Sequence, residues 1–386
     1  MGSAMRKNFA HMAFSVCYDE KSKKASRRQF DFLEAFCYSI FKNTLFFIYE
    51  SVCNEEVFGR AEESLMKTMI NITTSIYDIE RYRDLSHLRE FYRRFGCDGY
   101  ELMRCPPPSS DILGKEDVVG VHLAYFTSWI DFWLGDEEAL IEEYGSRERY
   151  EAFYGGSFRE RIVEFVKSEL EFAAGKEAEY VVFHAGDSVS REVFTYRFRH
   201  RDEEIVDAVA EIVNLALEGT DYSFWFLVEN LPWPGMRFTR PEITERLLSQ
   251  IRYEKKGIML DTGHLMCTNP EIASEEEGIA YIRRCLDAHG PLCRYIKGVH
   301  LHRSLSGSYV KSVLADPPVL PDDYDERIGM AYMHVFRIDQ HKPFSCKEVR
   351  ELIRQINPEY LTHEFVTNDL AQHEEYLRVQ TRALFM

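Results

Sequence analysis

From about residue 70 to the C-terminus, short β-branched or apolar runs alternate with longer stretches of helical period, and this alternation restricts the possible folds more than any other feature. Parallel strands need long crossover connections, which helices supply, so repeated βα units predict a parallel sheet. The strand candidates are Ile70 to Ile76, Gly99 to Met103, Val118 to Tyr125, Tyr180 to His184, Phe224 to Glu229, Gly257 to Asp261, Ile296 to Leu301 and Tyr360 to Phe365. Helical patterns with charged outer faces lie between them, among them Phe158 to Ala173, Glu203 to Leu217, Pro241 to Ile251, Gly278 to Ala288 and Ser345 to Ile356. Eight strands each followed by a helix close most simply into a (β/α)8 TIM barrel, an α/β fold that commonly exceeds about 250 residues without dividing. The 386 residues therefore need not hold two barrel-sized domains.

Residues 6–68 precede this pattern. Their aromatic run (Phe30, Phe32, Phe36, Phe41, Phe46, Phe47) recurs at spacings that let helices bury one face. The expected organisation is a segment 1–68, made of a tag remnant (Met-Gly-Ser-Ala-Met) and a helical extension, followed by a barrel over 69–386. The extension would pack on the barrel or mediate self-association, which makes a homo-oligomer a candidate assembly.

Composition narrows the function classes. Hydrophobic residues are 45% of the chain and charged residues 29%, enough apolar material for a buried core. Lys plus Arg total 47 against 64 for Asp plus Glu, and the formal charge of -17 repels a phosphate backbone unless basic residues gather locally. A small-molecule substrate is expected rather than a nucleic-acid coat. The nine cysteines are scattered and never spaced Cys-x-x-Cys, which speaks against disulfides or a zinc ribbon and suggests a reducing cytoplasm. Cys267, without an adjacent basic partner, reads as a buried thiol. The most apolar early stretch, Phe30 to Ile48, is interrupted by Asp31, Glu34, Lys42 and Asn43, so no membrane segment is expected.

The chemistry is concentrated at the strand ends. In a barrel the C-terminal ends of the strands converge on one mouth. Here the third strand carries His122 in Val-His-Leu-Ala-Tyr-Phe, the fourth ends at His184 in Phe-His-Ala-Gly-Asp, and the fifth ends at Glu229 in Leu-Val-Glu-Asn. The sixth ends Leu-Asp-Thr-Gly-His (Asp261, His264), the seventh Val-His-Leu-His (His300, His302) and the eighth Thr-His-Glu-Phe (His363, Glu364). Charges pointing into a mouth without partners would cost several kcal/mol, so convergence implies a ligand. Carboxylates with imidazole form a mixed oxygen and nitrogen set, which suits manganese, zinc, magnesium or cobalt. Strand alternation places His302 on the face of His300 and turns His363 the other way.

Leu-Val-Glu-Asn, Leu-Asp-Thr-Gly-His and His-Glu-Phe, in this order, resemble the xylose isomerase-like barrels, a superfamily of sugar isomerases, sugar epimerases and endonuclease IV; the resemblance spans 69–386. It implies that Glu229, Asp261, His300 and Glu364 bind a catalytic divalent metal and that His264 contacts substrate or a second metal. Val-His-Leu-Ala-Tyr-Phe and Phe-His-Ala-Gly also resemble ligand segments of the nuclease branch, and Asp339-Gln-His341 resembles its Asp-x-His pair, making His122, His184, Asp339 and His341 further candidate ligands. The interval from His300 to Asp339 is much longer than the nuclease's short link, and single-metal isomerases also keep strand-three and strand-four histidines.

The leading expectation is a metal-dependent isomerase or epimerase of a small sugar or polyhydroxylated carbonyl compound. The metal would polarise a carbonyl and its neighbouring hydroxyl, Glu229 and Glu364 would hold metal and move the proton, and His264 would orient a hydroxyl. Arg303, Trp233 and His302 are the expected substrate contacts, with the Arg197, Arg199, His200, Arg201 cluster read as a solvated charged face. The alternative is a multi-metal, zinc-type phosphodiesterase resembling endonuclease IV and acting on abasic DNA, in which Tyr125 and Phe126 would wedge into the duplex. The first reading leaves Asp339 and His341 without a ligand role.

Overall fold

The computed structural model describes residues 66–386. The expected helical extension lies outside the described residues except at its end, where Lys67 and Thr68 belong to the first barrel strand: they pair with Tyr360 and Leu361 of the last. The boundary set by the apolar pattern at Met69 is therefore moved, because a partner strand and not hydrophobicity fixes where a strand begins.

The eight strands are β1 (Lys67–Thr73), β2 (Gly99–Met103), β3 (Val118–His122), β4 (Tyr180–His184), β5 (Trp225–Glu229), β6 (Lys256–Asp261), β7 (Ile296–Leu301) and β8 (Tyr360–His363). All neighbouring pairs are parallel, and β1 pairs with β8, so the sheet is a closed barrel. The helices are α1 (Ile76–Ile79), α2 (Leu85–Arg94), α3 (Ile130–Leu134), α4 (Glu137–Tyr144), α5 (Arg147–Tyr154), α6 (Glu160–Gly175), α7 (Asp202–Leu217), α8 (Pro241–Gln250), α9 (Thr262–Cys267), α10 (Glu275–His289), α11 (Gly307–Ala315), α12 (Tyr324–Ile338), α13 (Glu348–Ile356) and α14 (Leu370–Phe385). Among the described residues no helix is long and apolar enough to cross a membrane.

The core has two layers. Between sheet and helices lies a large cluster that includes Val181, Val228, Leu260, Val299 and Leu361. Inside the barrel a smaller cluster of Met69, Val119, Tyr180, Val182, Leu227, Met259 and Tyr360 fills the lumen. The period of two then carries each inward column from apolar to polar: Val182 to His184, Leu227 to Glu229, Met259 to Asp261, Tyr360 to Thr362. Glycine makes room for the large members. A Cβ at Gly120 would lie 2.1 Å from the Tyr180 ring, and one at Gly298 would lie 2.5 Å from the Met259 methyl. The lumen thus forms an apolar floor beneath a layer of ionisable side chains.

Candidate metal centre

Each ligand-type side chain is aimed by its local structure. Asp261 ends β6 and is also the N-cap of α9, its Oδ1 accepting from the His264 amide and so turning the His264 ring toward the mouth. Asp261 Oδ2 accepts from His302 Nε2 at 2.8 Å. Gly263 between them is required by space, since a Cβ there would lie 2.0 Å from the His302 ring. Asn230 braces the pair, accepting from the Asp261 amide and donating to the Asp261 carbonyl, both at 2.9 Å.

Glu229, fully buried, stands at the centre. Its Oε2 lies 3.1 Å from His122 Nε2 and 3.3 Å from His184 Nε2, and its Oε1 lies 3.1 Å from His264 Nδ1 and 3.5 Å from His300 Nδ1. Glu229, Asp261, His300 and Glu364 each offer a ligand atom within 4.8 Å of the others, as do the trios His122, Glu229, His300; His302, His341, Glu364; and His264, Asp339, His341. Because Glu229, His300, His341 and Glu364 recur, the groups form one continuous cluster.

Asp339 and His341, candidate ligands that the isomerase reading left without a role, are brought into this cluster. The long interval after His300 is taken up by α11 and α12, which leave the rim and return to it, so sequence separation does not become spatial separation. Asp339 Oδ2 lies 3.1 Å from His264 Nε2 and 2.6 Å from His341 Nε2, while its Oδ1 accepts from the Ser304 hydroxyl at 3.0 Å. His341 holds a left-handed φ of 45°, uncommon for a residue with a Cβ, and stacks on His302 with ring centroids 4.0 Å apart.

Sequence reasoning missed Glu101. It points into the lumen from β2, and its carboxylate lies 2.9 Å from His300 Nε2 and accepts from the hydroxyls of Tyr180 (2.7 Å) and Thr362 (2.9 Å). This fixes which nitrogen of His300 faces the cluster. The available signal was a lone carboxylate inside a strand buried on both sides, Gly-Tyr-Glu-Leu-Met.

Burial alone would push the carboxyl values up, but the facing imidazoles outweigh it: His184 and His300 hold Glu229 well below the usual range, His341 and His264 do so for Asp339, and His300 for Glu364. Against the opposing pull of burial, Asp261 and Asp339 raise His264, Glu101 raises His300, and Asp339 raises His341 to about 9. His184 goes the other way, lowered by burial that Glu229 only partly counters. Several atoms still lack a hydrogen-bond partner despite full burial: Glu229 Oε1, Glu364 Oε2, His300 Nδ1 and His302 Nδ1. Orphaned acceptors of this kind, gathered among anionic oxygens, are what a divalent cation satisfies, so the residues fit the metal that the sequence resemblance implies.

The other expected contacts are placed differently. Arg303 is held away from the cluster, ion-paired to Glu275 at 2.8 Å and donating to the Pro343 carbonyl at 2.9 Å. Trp233 packs beside Tyr196 and Phe198, ring centroids 5.9 and 6.4 Å away. His302 lies within the cluster, fully buried. His363 turns outward, where Gln380 Nε2 donates to its Nδ1. Phe126 is buried against Phe153, Tyr154 and Phe165, so it cannot act as a wedge, whereas Tyr125 lies with its ring 4.0 Å from that of His184. Arg199, His200 and Arg201 pair with Glu142, Asp131 and Glu204. Cys267 is buried, its thiol donating to the Ile338 carbonyl.

A sequence profile described as xylose isomerase-like TIM barrel matches residues 92–380. No curated protein matches the chain. Solved structures with a similar fold include endonuclease IV from Thermus thermophilus (16% identity, covering 82% of this chain and 98% of that one, TM-score 0.43). They also include D-psicose 3-epimerase with D-tagatose from Clostridium cellulolyticum (14%, 83% and 97%, 0.42). A third is a xylose isomerase-like TIM barrel protein from Mycobacterium smegmatis in complex with magnesium (12%, 78% and 88%, 0.38). At these identities the likeness is one of fold.

Proposed function

The chain belongs to the xylose isomerase-like TIM barrel family, and from that premise we propose that it is a multi-metal phosphoester hydrolase. One observation carries this reading: Asp339 and His341 meet His264 beside the four-residue group of Glu229, Asp261, His300 and Glu364. An isomerase can polarise one carbonyl and its neighbouring hydroxyl with a single cation, whereas the additional triad supports chemistry that uses more than one, as in-line displacement at phosphorus does. The ligands assigned under this reading are His122, His184, Glu229, Asp261, His264, His300, Asp339, His341 and Glu364, with His302 holding Asp261. Divalent ions bound there supply Lewis-acid activation of water and neutralise charge developing on a phosphoryl group.

The remaining work falls to the chain. Four carboxylates, Glu229, Asp261, Asp339 and Glu364, crowd one mouth, so an anionic substrate is repelled until cations balance them. Glu229 faces imidazoles from four strands or loops and keeps the groups close together. Glu101 orients His300, and Asn230 orients Asp261 and His264, the bracing that metal ligands need to hold geometry. The apolar lumen below excludes water from beneath the cluster and strengthens every charge interaction in it.

The test is hydrolysis of bis(p-nitrophenyl) phosphate by protein loaded separately with zinc, manganese, magnesium or cobalt, alongside conversion of ketoses to their epimers and aldose isomers. Phosphoester cleavage abolished by chelation supports the hydrolase. Sugar interconversion without cleavage supports the isomerase reading instead.

A further inference from the structure

Building on the hydrolase reading, we infer that the substrate is a small phosphate ester and that the α11–α12 hairpin keeps a nucleic-acid duplex from the metal mouth. The hairpin leaves the barrel after β7. In a closed ring of eight strands β3 lies opposite β7, and α12 is fastened to the segments that follow β3 and β4.

The fastening is specific and buried. Arg327, with no exposed surface, donates from Nε to the Ser190 hydroxyl at 2.8 Å and from Nη2 to the Glu143 carbonyl, and also caps the Asp322 carbonyl at 2.8 Å. His334 Nε2 donates to the Val193 carbonyl at 3.0 Å, and its ring stacks on Phe194 at 4.3 Å. Arg149 of α5 pairs with Asp323 and Asp325 at the start of α12. At its far end α12 delivers Asp339 to His264. The helix therefore runs from the outer β3–β4 wall to the metal cluster itself, with Tyr332 turned toward Thr127, two residues beyond the Tyr125 that packs on His184.

A duplex is stiff over about 150 base pairs and has to lie across an open mouth to place one phosphate on its floor. A helical hairpin anchored at opposite walls occupies that path. Among the described residues, several rim groups that could grip a duplex are already taken. Arg149, Arg199 and Arg327 are engaged with carboxylates or carbonyls, Phe126 is buried, and the chain carries a net charge of -17.

The experiment compares the wild type with Arg327→Ala/His334→Ala, which releases the hairpin, both as full-length metal-loaded protein. Fluorescence anisotropy measures binding of a labelled dinucleotide and of a short duplex carrying an abasic site, and hydrolysis of bis(p-nitrophenyl) phosphate is followed in parallel. The wild type is expected to bind the dinucleotide at least about tenfold more tightly than the duplex, and release is expected to improve duplex binding by at least about tenfold. Duplex binding by the wild type equal to dinucleotide binding, or duplex affinity unchanged on release, overturns the inference. Should the double variant lose its metal and helical signal, the wild-type comparison decides alone. Absence of any phosphoester hydrolysis overturns the hydrolase reading by a separate readout, while the two binding comparisons still judge the hairpin.

Discussion

Glu101 and Asp187 show how single buried carboxylates are governed by the balance between their donors and their burial. Glu101 receives His300, Tyr180 and Thr362, so an amide in its place would turn a donor toward donors. Glu101→Gln is expected to weaken metal binding roughly 10- to 100-fold with the far-ultraviolet spectrum unchanged, as read by competition with a chromophoric chelator. Undiminished affinity would mean that His300 needs no such support. Asp187 Oδ1 accepts from the amides of Trp129 (2.6 Å) and Ile130 (3.1 Å), yet burial outweighs both and lifts its value from 3.8 to about 7. The native state therefore holds a proton that the unfolded chain releases, and stability falls as pH rises from about 4 to about 7. Asp187→Asn keeps the accepting oxygen and removes the charge. Urea unfolding should find it more stable than the wild type at about pH 8, by at most about 4 kcal/mol, with a smaller gain at about pH 5. A variant less stable at both would contradict this account. The partners of neither could be read in advance, because a lone acid in an apolar strand or loop can signal burial but not whether it meets water or three donors.

Strand identity was legible where the apolar period was strong: β2, β4 and β7 begin and end where the pattern places them. Ends set by partners were not. β3 stops at His122, since beyond Leu123 the Ala124 amide is taken by Glu169, and β8 stops at His363 because the Phe365 amide turns to Asn71. The α11–α12 hairpin was not anticipated, and without it the long interval after His300 kept Asp339 and His341 as candidate ligands of the alternative reading only. The lumen glycines give a graded test of packing. Gly120→Ala pushes a methyl into the face of a fully buried tyrosine that also holds Glu101, whereas Gly298→Ala meets the flexible end of Met259. Denaturant unfolding should show about 1–3 kcal/mol lost at Gly120 and less at Gly298. Equal costs would mean that the lumen yields as easily around Tyr180 as around Met259.

Across the molecule, acidity and the metal cluster are linked. The chain carries -17 overall and places four carboxylates in one buried mouth, so bound cations relieve repulsion present only in the folded state. Chelation should lower the melting temperature by several degrees, and titrating metal back should raise it progressively, reaching about 2.7 kcal/mol of stabilisation at a hundredfold excess over the dissociation constant. A melting temperature indifferent to chelation would place the cations elsewhere. The closed barrel was readable from strand order, and the strand ends with the family resemblance pointed to the four residues that meet at its mouth, but the number of ligand groups was not readable, since it depends on a segment that leaves the rim and returns. Metal content per chain, measured on purified wild type and on Asp339→Ala and His341→Ala, tests that number directly. At least two equivalents are expected in the wild type and one fewer in either variant. A single equivalent, unchanged by both substitutions, would contradict this.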